Sequence, residues 1–146
     1  MKLKHPILNS KLILSKNDIS RTKFRTDLLN LFYTSKKSVS IEDVLKHFDY
    51  SINKVTVYRS LESFENKGLI HKVPDSNNLK RYSLCREEEC SPSTHNHNHG
   101  HFICYDCNQT FCMQEIKFPD IKSVKGFYIQ ELKLTLEGYC QDCYTN

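Results

Sequence analysis

Two copies of one short spacing constrain this chain more than anything else in it: Cys104-x-x-Cys107 and Cys140-x-x-Cys143. Together they supply four thiolates, the number and softness that close a tetrahedral zinc site. A thioredoxin-like redox dithiol would not come twice. Thirty-two residues separate the pairs, so the segment between them must fold. Its residues predict a strand over 110–113, a short helix or turn after Pro119, and a long strand over 127–136. So small a core leaves the metal much of the folding work.

Four histidines, His95, His97, His99 and His101, run directly into the first pair. His99 and His101 alternate, so in an extended strand both face one side. Phe102-Ile103-Cys104 anchors them to an ordered strand. Two imidazoles do not close a metal site, and His71 and Cys85 stand near the domain junction where they could complete it. His95 and His97 are open between ligands and a solvated tract. Cys112 is open between a ligand and a core residue, and Cys90 is unassigned. No apolar run is long enough to cross a membrane, and the N-terminus lacks the features of a secretory signal. A cytoplasmic, reducing compartment is expected, where such cysteine pairs mean metal more often than disulfides.

Charge divides the chain. Residues 1–84 carry sixteen Lys and Arg against eight Asp and Glu; residues 85–146 carry five against nine. A basic first half and an acidic, Cys/His-rich second half suggest a nucleic-acid reader joined to a metal module. The basic half is amphipathic. A weak helix is expected over 7–15. A second, capped by Ser20, has the stripe Phe24, Leu28, Leu31 and Phe32. Ser40, with Asp43 three residues on, caps a third carrying Ile41, Val44, Leu45 and Phe48. After a turn over 49–52, Asn53 caps a helix whose buried face is Val57, Leu61 and Phe64, and Gly68 ends it. A hairpin follows, with strands over 69–73 and 80–84. Helices followed by a hairpin are the order of a winged helix, whose last helix enters the major groove. Lys54, Thr56, Tyr58 and Arg59 are the candidate DNA contacts: Arg can read guanine, while Thr and Tyr can bond phosphate. A helical domain with a solvated polar face is the plainer alternative.

These residues resemble the ferric uptake regulator family of bacterial metal-dependent repressors. Three blocks carry the likeness: Thr56-Val57-Tyr58-Arg59-Ser60-Leu61 with Gly68-Leu69-Ile70; His99-Gly100-His101-Phe102-Ile103-Cys104-x-x-Cys107; and Gly138-Tyr139-Cys140-x-x-Cys143. The resemblance implies an α+β chain. A winged helix over 1–84 and a hinge over 85–95 would precede a small zinc-stabilised α/β dimerisation domain over 96–146. It further implies a homodimer that binds a palindromic operator when metal-loaded, and neither an enzyme nor a membrane protein. Cys104, Cys107, Cys140 and Cys143 match the family's structural zinc ligands, and Tyr58 and Arg59 its DNA-contacting pair. Positions where iron-sensing members carry His and Glu are Ser38 and Ser83 here. His71 and Cys85 fill positions used by zinc-sensing members, so His71, Cys85, His99 and His101 are the expected regulatory ligands for Zn2+. The chain thus resembles a zinc uptake regulator most. An iron- or peroxide-responsive regulator, or a metal buffer with no DNA role, are the alternatives. The segment between the cysteine pairs departs from the family in having little room for its usual helix.

Overall fold

Apolar stripes on successive helices build the first half. In this computed structural model, which describes residues 6–85 and 99–145, α1 spans Pro6–Lys16 and α2 Lys23–Thr34. Leu28, Leu29 and Phe32 of α2 are buried, while Phe24 and Leu31 are half-buried against the same core. The cap of α2 is Thr22 rather than the expected Ser20. Thr22 is extended immediately before the first helical turn, and its hydroxyl accepts the Arg25 amide at 3.2 Å. Ser20, two residues further out, accepts the Arg25 guanidinium instead, at 2.7 Å.

Strand β1 (Val39–Ser40) leads into α3 (Ile41–His47). The capping box is complete: the Asp43 amide donates to Ser40 Oγ at 3.1 Å, and the Ser40 amide donates to Asp43 Oδ2 at 2.9 Å. Ser40→Ala removes one arm of this box and is expected to cost about 1 kcal/mol. Urea unfolding would read it as a lower midpoint at unchanged slope. Asp49 and Tyr50, at φ 52° and 55°, turn the chain toward α4 (Lys54–Asn66). Asn53 caps α4 through the Val55 amide at 2.8 Å. Val57, Leu61 and Phe64 are fully buried as the spacing predicts, with Ser60 beside them. Gly68, at φ 75°, follows the C-cap Lys67 in the left-handed conformation that glycine adopts without steric cost.

Strands β2 (Ile70–Val73) and β3 (Arg81–Leu84) form the hairpin, and β3 lies between β2 and β1 in an antiparallel sheet. This is a winged helix.

The second half is a three-stranded sheet. Its central strand β4 (His99–Cys104) is antiparallel to β5 (Thr110–Lys117) and parallel to β8 (Thr135–Gly138). The long strand expected over 127–136 is two separate pieces. Phe127–Tyr128 (β7) folds back on Ser123–Val124 (β6) through Lys125 and Gly126, both at positive φ, a turn whose twist suits a tight hairpin. That pairing takes β7 out of register with the main sheet, and only β8 reaches β4. Residues 118–134 contain no helix, in keeping with the short segment noted in the sequence. The four-residue helix α5 (Gln141–Tyr144) follows β8. Among the described residues, Ile103 and Cys104 are the only buried hydrophobic residues of this half. The large core belongs to the winged helix. The hinge expected at 85–95 lies, apart from Cys85, outside the described residues, as do Cys90, His95 and His97.

Candidate metal centres and nucleic-acid interface

The knuckle after β4 and the start of α5 bring the four paired cysteines together. The sulfurs of Cys104, Cys107, Cys140 and Cys143 all lie within 4.8 Å of one another, with Cys107 and Cys140 at 3.9 Å. Local hydrogen bonds set this shape. The Cys104 amide donates to the Gln109 carbonyl at 3.0 Å, Asn108 turns the chain at φ 55°, and the Cys140 amide donates to Cys104 Sγ at 3.4 Å. Burial opposes ionisation of Cys104, but the amides of Cys140, Cys107 and Asp106 bring its pKa down to about 6. The neighbouring Cys140 thiol pushes Cys143 up, and burial pushes Cys107 up. One sulfur, Cys104, is thus favoured as a thiolate, while Cys107 and Cys143 beside it are held toward the thiol form. A dication removes that conflict.

The second cluster spans the two halves. His71 comes from β2 of the wing; His99 and His101 come from β4; Cys112, on β5, is the register partner of His101. One ligand atom from each lies within 4.8 Å of the others. His71 Nε2 is 3.4 Å from His101 Nε2 and 3.5 Å from Cys112 Sγ. His71 and His99 are buried; His101 and Cys112 are half-buried. Gly100 separates the two β4 histidines, and a Cβ there would meet Ile116 at 3.4 Å, so the strand packs tightly at this point. Cys85 also reaches His71, at 3.5 Å, but on the other ring nitrogen, Nδ1. The structure therefore gathers His71, His99, His101 and Cys112 around one point and sets Cys85 behind His71. The positional argument had pointed to Cys85 and left Cys112 open. Strand pairing across β4 and β5 is what brings Cys112 in, and it is invisible to spacing along the chain.

The outer face of α4 is exposed at Lys54, Thr56, Tyr58 and Arg59. Lys80, on the wing, stands 5.6 Å over the Tyr58 ring and adds a cation beside that face. A cleft of about 320 Å³ between the halves is lined by Ser38, Ser83, Thr110 and Cys112 among others. Ser38 and Ser83 bring no imidazole or carboxylate to it.

A winged helix with an exposed polar face, joined to a sheet that gathers two clusters of metal-type donors, defines a metal-binding DNA regulator. The chain belongs to the ferric uptake regulator family, whose profile matches residues 16–138. It is therefore a metal-dependent transcriptional regulator and not an enzyme. A ferric uptake regulation protein of Staphylococcus aureus is 30% identical over 135 residues, covering 90% of this chain and 93% of the relative. A solved zinc uptake regulator complexed with zinc and DNA superposes with a TM-score of 0.65 at 20% identity, covering 95% of this chain and 93% of that one. The Helicobacter pylori ferric uptake regulator superposes with a TM-score of 0.61 at 21% identity over 99% and 97% of the two chains. Both share the fold. No helix among the described residues is long and apolar enough to cross a membrane.

Proposed function

We propose that this protein is a zinc-responsive, homodimeric repressor of the cytoplasm. It would bind a palindromic operator through Lys54, Thr56, Tyr58 and Arg59. The observation that carries this reading is the cluster that joins His71 of the wing to His99, His101 and Cys112 of the sheet. Its donor chemistry favours zinc, since imidazoles with a thiolate suit that ion better than ferrous iron. Its dimensions agree. A tetrahedral zinc with bonds of about 2.0–2.1 Å to nitrogen and about 2.3 Å to sulfur separates its ligands by roughly 3.3–3.8 Å. The separations are 3.4 Å from His71 to His101 and 3.5 Å from His71 to Cys112 in the cross-domain cluster, and 3.9 Å between Cys107 and Cys140. The four-cysteine group is read as a permanent structural zinc site.

The switch follows from where the donors sit. A bound dication supplies one point of charge to which both halves are tied. His71 then holds the wing against β4, and the recognition helix α4 keeps one orientation. The Cys85 sulfur at Nδ1 fixes the His71 ring and its tautomer, as outer partners of metal-bound imidazoles do. In a symmetric dimer, one fixed orientation per chain sets the spacing of two recognition helices to two half-sites. The edge of β8, which pairs with no second strand among the described residues, and the exposed Phe127 and Tyr128, 72% and 92% accessible, support a second copy as the occupant of that side. The proposed division is a DNA-binding domain over 1–84, a hinge over 85–95 and a dimerisation domain over 96–146. A coupling of about 1–3 kcal/mol between metal and operator is typical of such switches.

The names of the curated relatives favour a second reading, an iron-responsive regulator. Operator binding titrated anaerobically with zinc and with ferrous iron separates the two. Zinc is expected to restore binding to chelated protein at one equivalent in the labile site. Equal restoration by ferrous iron at the same free concentration overturns the zinc assignment. A protein whose DNA affinity ignores both metals and falls little with salt overturns the regulator reading for this site.

A further inference from the structure

A second junction between the halves involves neither metal cluster. Arg81, on β3, is only 8% exposed. A buried guanidinium is costly unless its fork of donors is well satisfied. Asp75 is its principal partner through Nε. Burial works against the Asp75 charge, yet Arg81 and the amides of Leu79 and Asn77 hold its carboxyl below the usual range. That pair alone neutralises the site, but Nη1 goes further. It lies 3.5 Å from Ser38 Oγ, 3.6 Å from Asp43 Oδ2 and 3.3 Å from Gln109 Oε1.

Asp43 is the reciprocal cap of α3, the helix that packs on α4. Gln109 belongs to the four-cysteine knuckle, where its carbonyl holds the Cys104 amide. Beside Arg81, the Ser38 amide donates to the Thr110 carbonyl at 3.1 Å, and the Thr110 amide donates to Ser38 Oγ at 3.3 Å. Thr110 Oγ1 donates to the Pro74 carbonyl at 2.7 Å. Ser38 and Thr110 are buried, at 4% and 0% exposure, so water does not compete for these bonds.

We propose that Arg81 is a positioning residue that couples the four-cysteine knuckle to the DNA-reading half, through a latch made with Gln109, Ser38 and Thr110. The knuckle's shape decides where Gln109 stands. Arg81 reads that position and passes it to the cap of α3. The shape of the four-cysteine knuckle thus bears directly on operator affinity, besides holding the second half folded. The cross-domain cluster then acts on a wing that is already docked on one side. The operator part of this proposal rests on the metal-responsive reading above; the latch itself does not.

Gln109→Ala removes the partner that crosses the junction and leaves every bond within the winged helix in place. Operator affinity and zinc affinity at the His71 cluster are both expected to fall about tenfold, the scale of one hydrogen bond to a charged group. Both should fall, because both ligands favour the latched arrangement that the substitution weakens. Metal held in the four-cysteine site should not change. Exchange protection of the Ser38 and Thr110 amides should drop, and Gln109→Glu, which keeps an acceptor for Arg81, should restore both affinities. Wild-type operator affinity in Gln109→Ala overturns the coupling. Unchanged amide protection overturns the latch, and that measurement stands even if the wild-type protein proves not to bind DNA in response to zinc.

Discussion

Cys104→Ala is expected to lose one metal ion per chain and, with it, the proposed dimer, running at monomer mass. The second half has almost nothing else to fold around: Ile103 and Cys104 are its only buried hydrophobic residues among those described. Its sheet has three strands, and β6 and β7 hang outside it as a two-residue ladder. In small metal-stapled modules the metal's binding free energy, about 10–16 kcal/mol for structural zinc, is the folding free energy. Cys104 is wholly buried, and the amides of Cys140, Cys107 and Asp106 favour its thiolate. Light scattering with metal analysis would read mass and stoichiometry together, and amide exchange over 99–145 would report the unfolding. A folded dimer of Cys104→Ala carrying one ion fewer would sink the structural role.

The winged helix was legible because its signals are local. Ser40 and Asp43 three residues apart form a capping box, Asn53 caps α4, and Val57, Leu61 and Phe64 share one helical face whatever surrounds them. The four-cysteine site was legible for a similar reason, since each pair is one turn long and four thiols have few other uses. The errors sit at strand pairing and at the exact start of one helix. Phe127 and Thr135 read as parts of one long strand, but a turn at Lys125 and Gly126 claims β7 for another partner. Ser20 looked like a cap, and Thr22, also a hydroxyl residue, lay one position from the helix. Arg81, Gln109 and Thr110 carried no signal at all. Each is a common surface residue type whose importance comes only from the fold bringing positions 28 to 72 residues apart into contact.

The remaining large effect concerns the two thiols on either side of His71. They are predicted to respond differently because they face different ring nitrogens. Cys112→Ala removes a member of the four-donor group and should abolish zinc-dependent operator binding while the fold and the structural site persist. Cys85→Ala removes the group at Nδ1. Loss of such an outer partner typically weakens metal affinity by about 10- to 100-fold, so operator binding should survive at higher zinc. Cobalt exchanged into the labile site alone makes the distinction visible, since a sulfur-to-metal charge-transfer band requires a thiolate on the ion. The band should be present in the wild type and in Cys85→Ala and absent in Cys112→Ala. The reverse pattern would mean that His71 presents Nδ1 to the metal and that Cys85 is the ligand, as its position in the chain alone had implied. The two outcomes also differ mechanically. With Cys112 as ligand, the wing contributes only His71 and β4–β5 the other three donors. The half-life of the closed state then hangs on one imidazole. With Cys85 as ligand, residues on both sides of the wing hairpin grip the ion, and opening must break two bonds instead of one.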